Sequence, residues 1–253
     1  MKRKIHMDGF FNEFKGSALH GIEIGAYDRP YFTRKEFPNM KYADVFSTNQ
    51  LRALAIANNK RNVDNVETVD FVIGQKTLKD LVPANKCDFV FCSHVLEHVP
   101  DLITTLRDIE VILKPKGRLL CAYPDKEYTF DITRKSTSFK TLVDRFENNL
   151  RKPDPDTVYD YFINHKRVFT GKLWHKLEGG IGANTYTKQI AEKKSKLAKN
   201  EYVDVHTNIF NSSEFVRIIE KLNQKGLIKM SIEKYQHTKA PLNEFFVVFQ
   251  KNK

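Results

Sequence analysis

The stretch CDFVFCSHVLEHVPDLITTLRDIEVILKPKGRLLCAYPDK, Cys87 to Lys126, holds a strand, a loop, a helix and a second strand in one run. Cys87 to Cys92 is a short apolar run of strand length. Leu102, Leu106, Ile109 and Leu113 recur every three to four residues, which predicts a helix that Pro115 and Gly117 stop. Arg118 to Tyr123 reads as the returning strand. A crossover of this length between strands is right-handed and makes a parallel sheet.

The same alternation extends in both directions. Upstream, GIEIGA (21–26), KYADVF (41–46) and VDFVIG (69–74) read as strands. Between the last two lies TNQLRALAIANN, a helix with Leu51, Leu54 and Ala55 at helical spacing and Thr48 or Asn49 as its cap. Downstream, NSSEFVRIIEKLNQKG is an amphipathic helix with Asn211 and Glu214 spaced as a capping box. LIKMSIEKY and EFFVVFQK then finish the chain as two strands, joined antiparallel through HTKAPLN. The expected class is α/β, a Rossmann-like doubly wound sheet of seven strands.

Residues 124–205 interrupt this pattern with helix-like, Pro/Asp-rich and Gly-rich pieces. The reading is therefore a sheet domain over 1–125 and 200–253, with a mostly helical inserted cap over 126–199 for the acceptor. The chain has 253 residues and a formal charge of +11. Residues 134–200 carry 15 Lys/Arg against 7 Asp/Glu, so the insert supplies +8 of it. A Lys-rich face without a recognition helix or an aromatic platform reads as solvated or as a small-anion site, which makes nucleic acid an unfavoured partner. No apolar run approaches the length of a membrane span, and MKRKIHMDGFF lacks the apolar core of a signal peptide. Cys87, Cys92 and Cys121, each in an apolar run, read as reduced core thiols of a cytoplasmic protein.

Ligands of doubly wound sheets sit at the carboxyl ends of the strands, where strand order reverses. Those ends carry Gly25, Asp44, the segment Val72 to Gly74, the loop CSHVLEH and the loop YPDKEYTFD. Glycine at 25 lets backbone approach a ligand. Asp44 can accept hydrogen bonds from two ribose hydroxyls.

This order of motifs resembles the class I S-adenosylmethionine-dependent methyltransferases. IEIGAYDRP is similar to their first motif, YADVF to their ribose-binding acid, and Cys87–Lys126 to their central strand, helix and strand. AYPDKEYTFD resembles a subgroup linked to bacterial capsule and surface-glycan synthesis, including capsule phosphoramidate methyltransferases of Campylobacter. The resemblance implies S-adenosyl-L-methionine as cofactor and S-adenosyl-L-homocysteine as product. It places Glu23, Gly25, Ala26 and Tyr27 at the methionine end, Asp44 at the ribose, Val72, Ile73 and Gly74 at the adenine, and Cys92, Ser93 and His94 beside the sulfonium. Two departures stand out: one glycine where relatives have two or three, and no acid after the third strand. The amino-acid tail of the cofactor has no pyrophosphate, so one glycine suffices.

Methyl transfer needs alignment with the donor more than acid–base chemistry, and a base only for a protonated acceptor. His94 is the expected base or orienter, with Asp125, Tyr128 and His206 as further catalytic candidates. Asp131 with Tyr128 could instead only fix the loop. Arg134, Lys135, Arg167 and Lys172 are candidate cations for an acceptor phosphate. The expected reaction is O-methylation of a small anionic or nucleotide-linked acceptor, a phosphoramidate or sugar, in capsular polysaccharide synthesis. N-methylation of a small metabolite is the alternative. The cap aromatics Tyr159, Tyr161, Phe162 and Trp174 suit a core or a homodimer contact.

Two enzyme rivals use the same residues. His94, Glu97 and His98 spell an inverted zinc-hydrolase motif, but Pro100 leaves its helix short, and no resident metal is expected. Strand, glycine and a later acid also suit an NAD-dependent oxidoreductase, against which the missing glycines argue.

Overall fold

A computed structural model describes residues 2–16, 18–74 and 76–252. The strands of the main sheet are β1 (Gly21–Ile24), β2 (Met40–Asp44), β3 (Phe71–Val72), β4 (Cys87–Ser93), β5 (Leu113–Pro124), β8 (Met230–Gln236) and β9 (Glu244–Lys251). A separate two-stranded sheet pairs β6 (Lys166–Val168) with β7 (Ile181–Asn184). The order of the main sheet is β3-β2-β1-β4-β5-β9-β8. β1 to β5 run parallel, and β9 enters antiparallel between β5 and β8. The expected seven-stranded doubly wound sheet is therefore the one found.

Helices cover both faces. α1 (Lys2–Phe11) packs Phe10 and Phe11 against Phe246 and Phe91 on one face. α4 (Leu102–Ile112) and α9 (Ser212–Gln224) bury Leu106, Ile109, Phe215 and Ile219 on the other. α2 (Thr48–Ala57) and the single turn α3 (Leu78–Leu81) flank the β2–β3 edge. Asn211 and Glu214 form the expected capping box. Two expected boundaries move. Ser47, not Thr48 or Asn49, caps α2, because its side chain reaches the Gln50 N–H in a full capping box. α4 ends at Ile112, before Pro115, because Leu113 is already extended and pairs with Cys87 of β4; Leu113 to Gly117 belong to β5.

Gly21 shows how tightly β1 is held. A Cβ there would sit 2.4 Å from Phe89 Cζ and 2.5 Å from Met40 Sδ. Both neighbours are buried, so neither can swing away. Gly21→Ala is expected to destabilise the fold by about 1–3 kcal/mol through overpacking, read as a lower urea midpoint at unchanged slope.

The inserted segment contains α5 (Phe139–Glu147), α6 (Pro155–Asn164), α7 (Thr170–Trp174) and α8 (Lys188–Leu197). α6 and α8 pack around Val158, Phe162, Ala191 and Ala198, joined by Val203 and Val205 from the following strap. α5 instead packs Leu142 into the main core. Cys87, Cys92 and Cys121 are buried free thiols. Among the described residues no helix is long and apolar enough to cross a membrane.

Candidate active site

The strand order reverses between β1 and β4, so their carboxyl ends open a crevice. On its cofactor side, Gly25 follows β1 with φ +70°, and its N–H reaches the Ala43 carbonyl at 2.9 Å. A Cβ at Gly25 would lie 2.8 Å from Val95 Cγ2. Shape and dihedral both call for glycine. Ala26 accepts from the Arg29 N–H, and Tyr27, also at positive φ, lies under the Arg61 guanidinium. Asp28 holds Arg61 and the Asn62 N–H, so this loop is tied to the chain after α2.

Asp44 ends β2. Its Oδ1 accepts from the Phe46 N–H at 3.0 Å, and burial lifts its carboxyl above the usual range. Beside it Val45, Phe46 and Val72 are exposed apolar side chains. The Ile73 N–H is taken by the Asp44 carbonyl, and a Cβ at Gly74 would lie 4.0 Å from the Val45 carbonyl oxygen. An acid flanked by exposed apolar side chains at strand ends, next to a left-handed glycine turn, fits an adenosine with an amino-acid tail. The residues present therefore suit S-adenosylmethionine: Asp44 would hold its ribose, Val45, Phe46 and Val72 its base, and Gly25 its tail.

Two expected contacts are engaged elsewhere. Glu23 is buried, accepting from the Tyr31 N–H at 2.9 and 3.1 Å and the Phe32 N–H at 3.0 Å. It pins the loop after β1 rather than presenting its carboxylate to the crevice, and burial raises its pKa to about 7. The Cys92 side chain points into the main core, where burial pushes its thiol up, so only its backbone faces the strand end.

On the acceptor side, Ser93 ends β4 and His94 follows with φ +55°. His94 Nε2 lies 2.9 Å from Glu244 Oε2. Arg3 of α1 grips the same carboxylate through Nε at 2.6 Å and Nη2 at 2.8 Å, and donates from Nη2 to Ser93 Oγ at 2.7 Å. Burial raises Glu244, but His94 and Arg3 outweigh it and hold the carboxyl below the usual range. Sequence reading missed Arg3 and Glu244. Glu244 had a signal, because an antiparallel β9 must start where β5 ends, and Glu244 pairs with Pro124. Nothing in the sequence marks Arg3, whose place follows from α1 packing on the sheet.

A cavity of about 410 Å³ opens here. His94, Glu97, His98 and His206 line one part, Tyr128 and Phe130 another, and Lys166 and Arg167 a third. Tyr128 stacks on Trp174 with ring centroids 4.0 Å apart, and Phe130 on His165 at 4.3 Å. His206 Nδ1 lies 2.6 Å from Asp131 Oδ2, and Arg134 Nη1 donates to Asp131 Oδ1 at 2.7 Å. Burial raises Asp131, but His206 and Arg134 together bring it below the usual range.

Of the expected catalytic residues, His94, Tyr128 and His206 thus meet in one cavity. Asp125 does not: its carboxylate is buried against the Thr238 hydroxyl at 2.6 Å and the Glu127 N–H at 3.0 Å. Arg134, expected as a phosphate ligand, is buried between Asp131 and Asp160. Arg167 is the expected cation that does line the cavity, and Lys166 joins it. The segment His94 to His98 is a turn, not a helix, so the zinc-hydrolase motif lacks its scaffold.

A family model described as "Methyltransferase domain" matches residues 10–223. No curated protein matches the chain. Among solved structures, the chain is similar to the 1,6-didemethyltoxoflavin-N1-methyltransferase of Burkholderia thailandensis. That likeness has 14% identity and a TM-score of 0.50, over 99% of this chain and 78% of that one. A Rhodobacter sphaeroides protein provisionally named a Zn-dependent alcohol dehydrogenase aligns at 13% identity and TM-score 0.52, over 98% and 90%. At such identities structural likeness shows the fold alone, and the family match decides between the two names.

Proposed function

The chain belongs to the family of S-adenosylmethionine-dependent methyltransferases, and on that premise we propose that it O-methylates a small anionic acceptor in the cavity beside His94. The bound cofactor supplies an electrophilic methyl group with a neutral thioether as leaving group. One observation carries the acceptor reading: a cavity of one-ligand size, about 410 Å³, with Lys166 and Arg167 on its wall. Two cations opposite the strand ends favour a phosphate-like or phosphoramidate oxygen. The aromatic walls of Tyr128 and Phe130 suit a sugar or base face. The finer reading is a phosphoramidate or sugar oxygen on a nucleotide-linked precursor of capsular polysaccharide, supported by the likeness of AYPDKEYTFD to that subgroup.

In this reading Glu244 fixes His94 through Nε2, and Nδ1, 3.5 Å from Glu97 Oε1, orients the acceptor or takes a hydroxyl proton. An anionic oxygen needs no base, so positioning dominates.

Calorimetry with S-adenosylhomocysteine, and NAD in parallel, tests the donor; binding of NAD alone overturns the reading. Transfer of labelled methyl to a panel of phosphoramidates and sugar phosphates tests the acceptor. The Lys166→Ala, Arg167→Ala double variant is expected to lose about 10- to 100-fold in kcat/KM for an anionic acceptor, from lost charge-assisted hydrogen bonds, at unchanged S-adenosylhomocysteine affinity. Equal kcat/KM for the anionic acceptor in both proteins removes the anionic assignment.

A further inference from the structure

Among the described residues, Glu97 is the buried charged group whose two side-chain oxygens both lack a hydrogen bond. It is 1% exposed, and neither carboxylate oxygen has a hydrogen-bond partner. Burying an unpaired carboxylate is strongly unfavourable, so positive charge must meet it. Three imidazoles surround it at distances too long for direct bonds. His94 Nδ1 lies 3.5 Å from Oε1, His98 Nε2 3.9 Å and His206 Nε2 4.0 Å.

The far side of each imidazole is already bound. His98 Nδ1 lies 2.8 Å from Asp204 Oδ1, and His206 Nδ1 2.6 Å from Asp131 Oδ2. Each carboxylate fixes a proton on Nδ1 and leaves the Nε2 lone pair directed at Glu97. Carboxylate–histidine pairs of this kind orient metal ligands. Among the described residues, Glu97, His98 and His206 form a group whose ligand atoms all lie within 4.8 Å of one another. At metal–ligand distances of about 2.0–2.2 Å, tetrahedral neighbours stand roughly 3.4 Å apart, so closing the shell takes a contraction of about half an ångström from Glu97 to each imidazole and of up to about 1.4 Å between the imidazoles.

The two segments that carry these ligands are stitched together. The Thr207 N–H reaches the Glu97 carbonyl at 2.7 Å, Thr207 Oγ1 donates to the Val99 carbonyl at 2.7 Å, and the Asn208 side-chain amide donates to the Leu96 carbonyl at 2.9 Å. His206 is thus held against Glu97 by backbone-directed bonds that do not involve the ligands themselves. The cluster also faces the acceptor cavity, which leaves one side open.

We propose that Glu97, His98 and His206 bind a divalent transition-metal ion of the zinc class, with an open position facing the acceptor cavity. Two imidazoles, one carboxylate and a free position are the donor set of catalytic rather than closed structural zinc sites. The sequence expectation of no resident metal weighed a single helix, to which His206, far along the chain, could not contribute. Binding of the ion stands independently of the methyltransferase reading. Its service to the reaction rests on that reading: the open position would hold the acceptor and, where the acceptor is a hydroxyl, ease loss of its proton so that the oxyanion attacks the methyl group.

The test is titration of the metal-free full-length protein with Zn2+ by calorimetry, and with Co2+ by its visible ligand-field bands. One ion per chain is expected, with Glu97→Gln weakening it at least 100-fold. His98→Ala gives a second arm, because His98 is partly exposed and its loss leaves the core intact. Asp204→Asn, at an exposed partner carboxylate, is expected to weaken binding about 10- to 100-fold. No saturable binding, or binding that all three variants retain, overturns the site; the imidazoles would then neutralise Glu97 with protons. S-adenosylhomocysteine binding, measured in the same samples, separates failure of the metal site from failure of the methyltransferase reading.

Discussion

Arg134→Met is expected to lower the unfolding free energy by about 3–5 kcal/mol, seen as a fall in the urea midpoint. The arginine side chain is 1% exposed and serves two carboxylates: Asp131 through Nη1 and Asp160 through Nε, both at 2.7 Å. Its guanidinium also lies 5.3 Å from the Tyr161 ring. Methionine replaces the stem but not the charge. Asp160 is partly exposed and can turn to water, whereas Asp131, 3% exposed, cannot. Asp131 would keep only His206, and the cost of a buried, half-paired carboxylate falls on the fold. A loss below about 1 kcal/mol would mean that the His206 hydrogen bond alone suffices for Asp131. Removing both charges, Arg134→Met with Asp131→Asn, is expected to recover part of the stability, because the orphaned charge goes with its partner.

That arginine also shows where sequence reading reaches its limit. A cation beside a strand-end loop reads as a phosphate ligand until packing shows that it is enclosed by Asp131 and Asp160. The sheet was legible because each strand is an apolar run, and α4 because Leu102, Leu106 and Ile109 keep a helical period. Gly25 and Asp44 were legible because the sheet topology directs attention to strand ends. Asp125 met the same rule and still turned away, since Thr238 from the β8–β9 connection takes its carboxylate. Arg3 was beyond local pattern, and so was the meeting of Glu97 with His206, which the sequence singled out only separately. Arg3 meets Glu244 across 241 residues, and no periodicity encodes such a contact.

Asp44→Ala is expected to weaken S-adenosylhomocysteine binding at least tenfold by calorimetry. Asp44 ends β2 between the β1 turn and Val72 of β3, its Cα partner. A carboxylate accepting from ribose hydroxyls makes charge-assisted bonds of about 1.5–3 kcal/mol, and 1.4 kcal/mol is a factor of ten. The fold should lose little, since the change frees only the Phe46 and Val45 N–H groups beside exposed side chains. Asp44→Asn separates charge from shape: it keeps one acceptor oxygen, and affinity between wild type and alanine would show that the ionised form matters. Acidity offers an independent reading. Burial holds the Asp44 carboxyl above the usual range, against the pull of the Phe46 and Val45 N–H groups. Its charge is therefore lost at a higher pH than an exposed aspartate's, and cofactor affinity should fall on acidification through that interval. The alanine protein should lack this slope. Equal affinity in wild type and Asp44→Ala at neutral pH would remove Asp44 from the site and leave Val45, Phe46 and Val72 to hold the adenosine by packing alone.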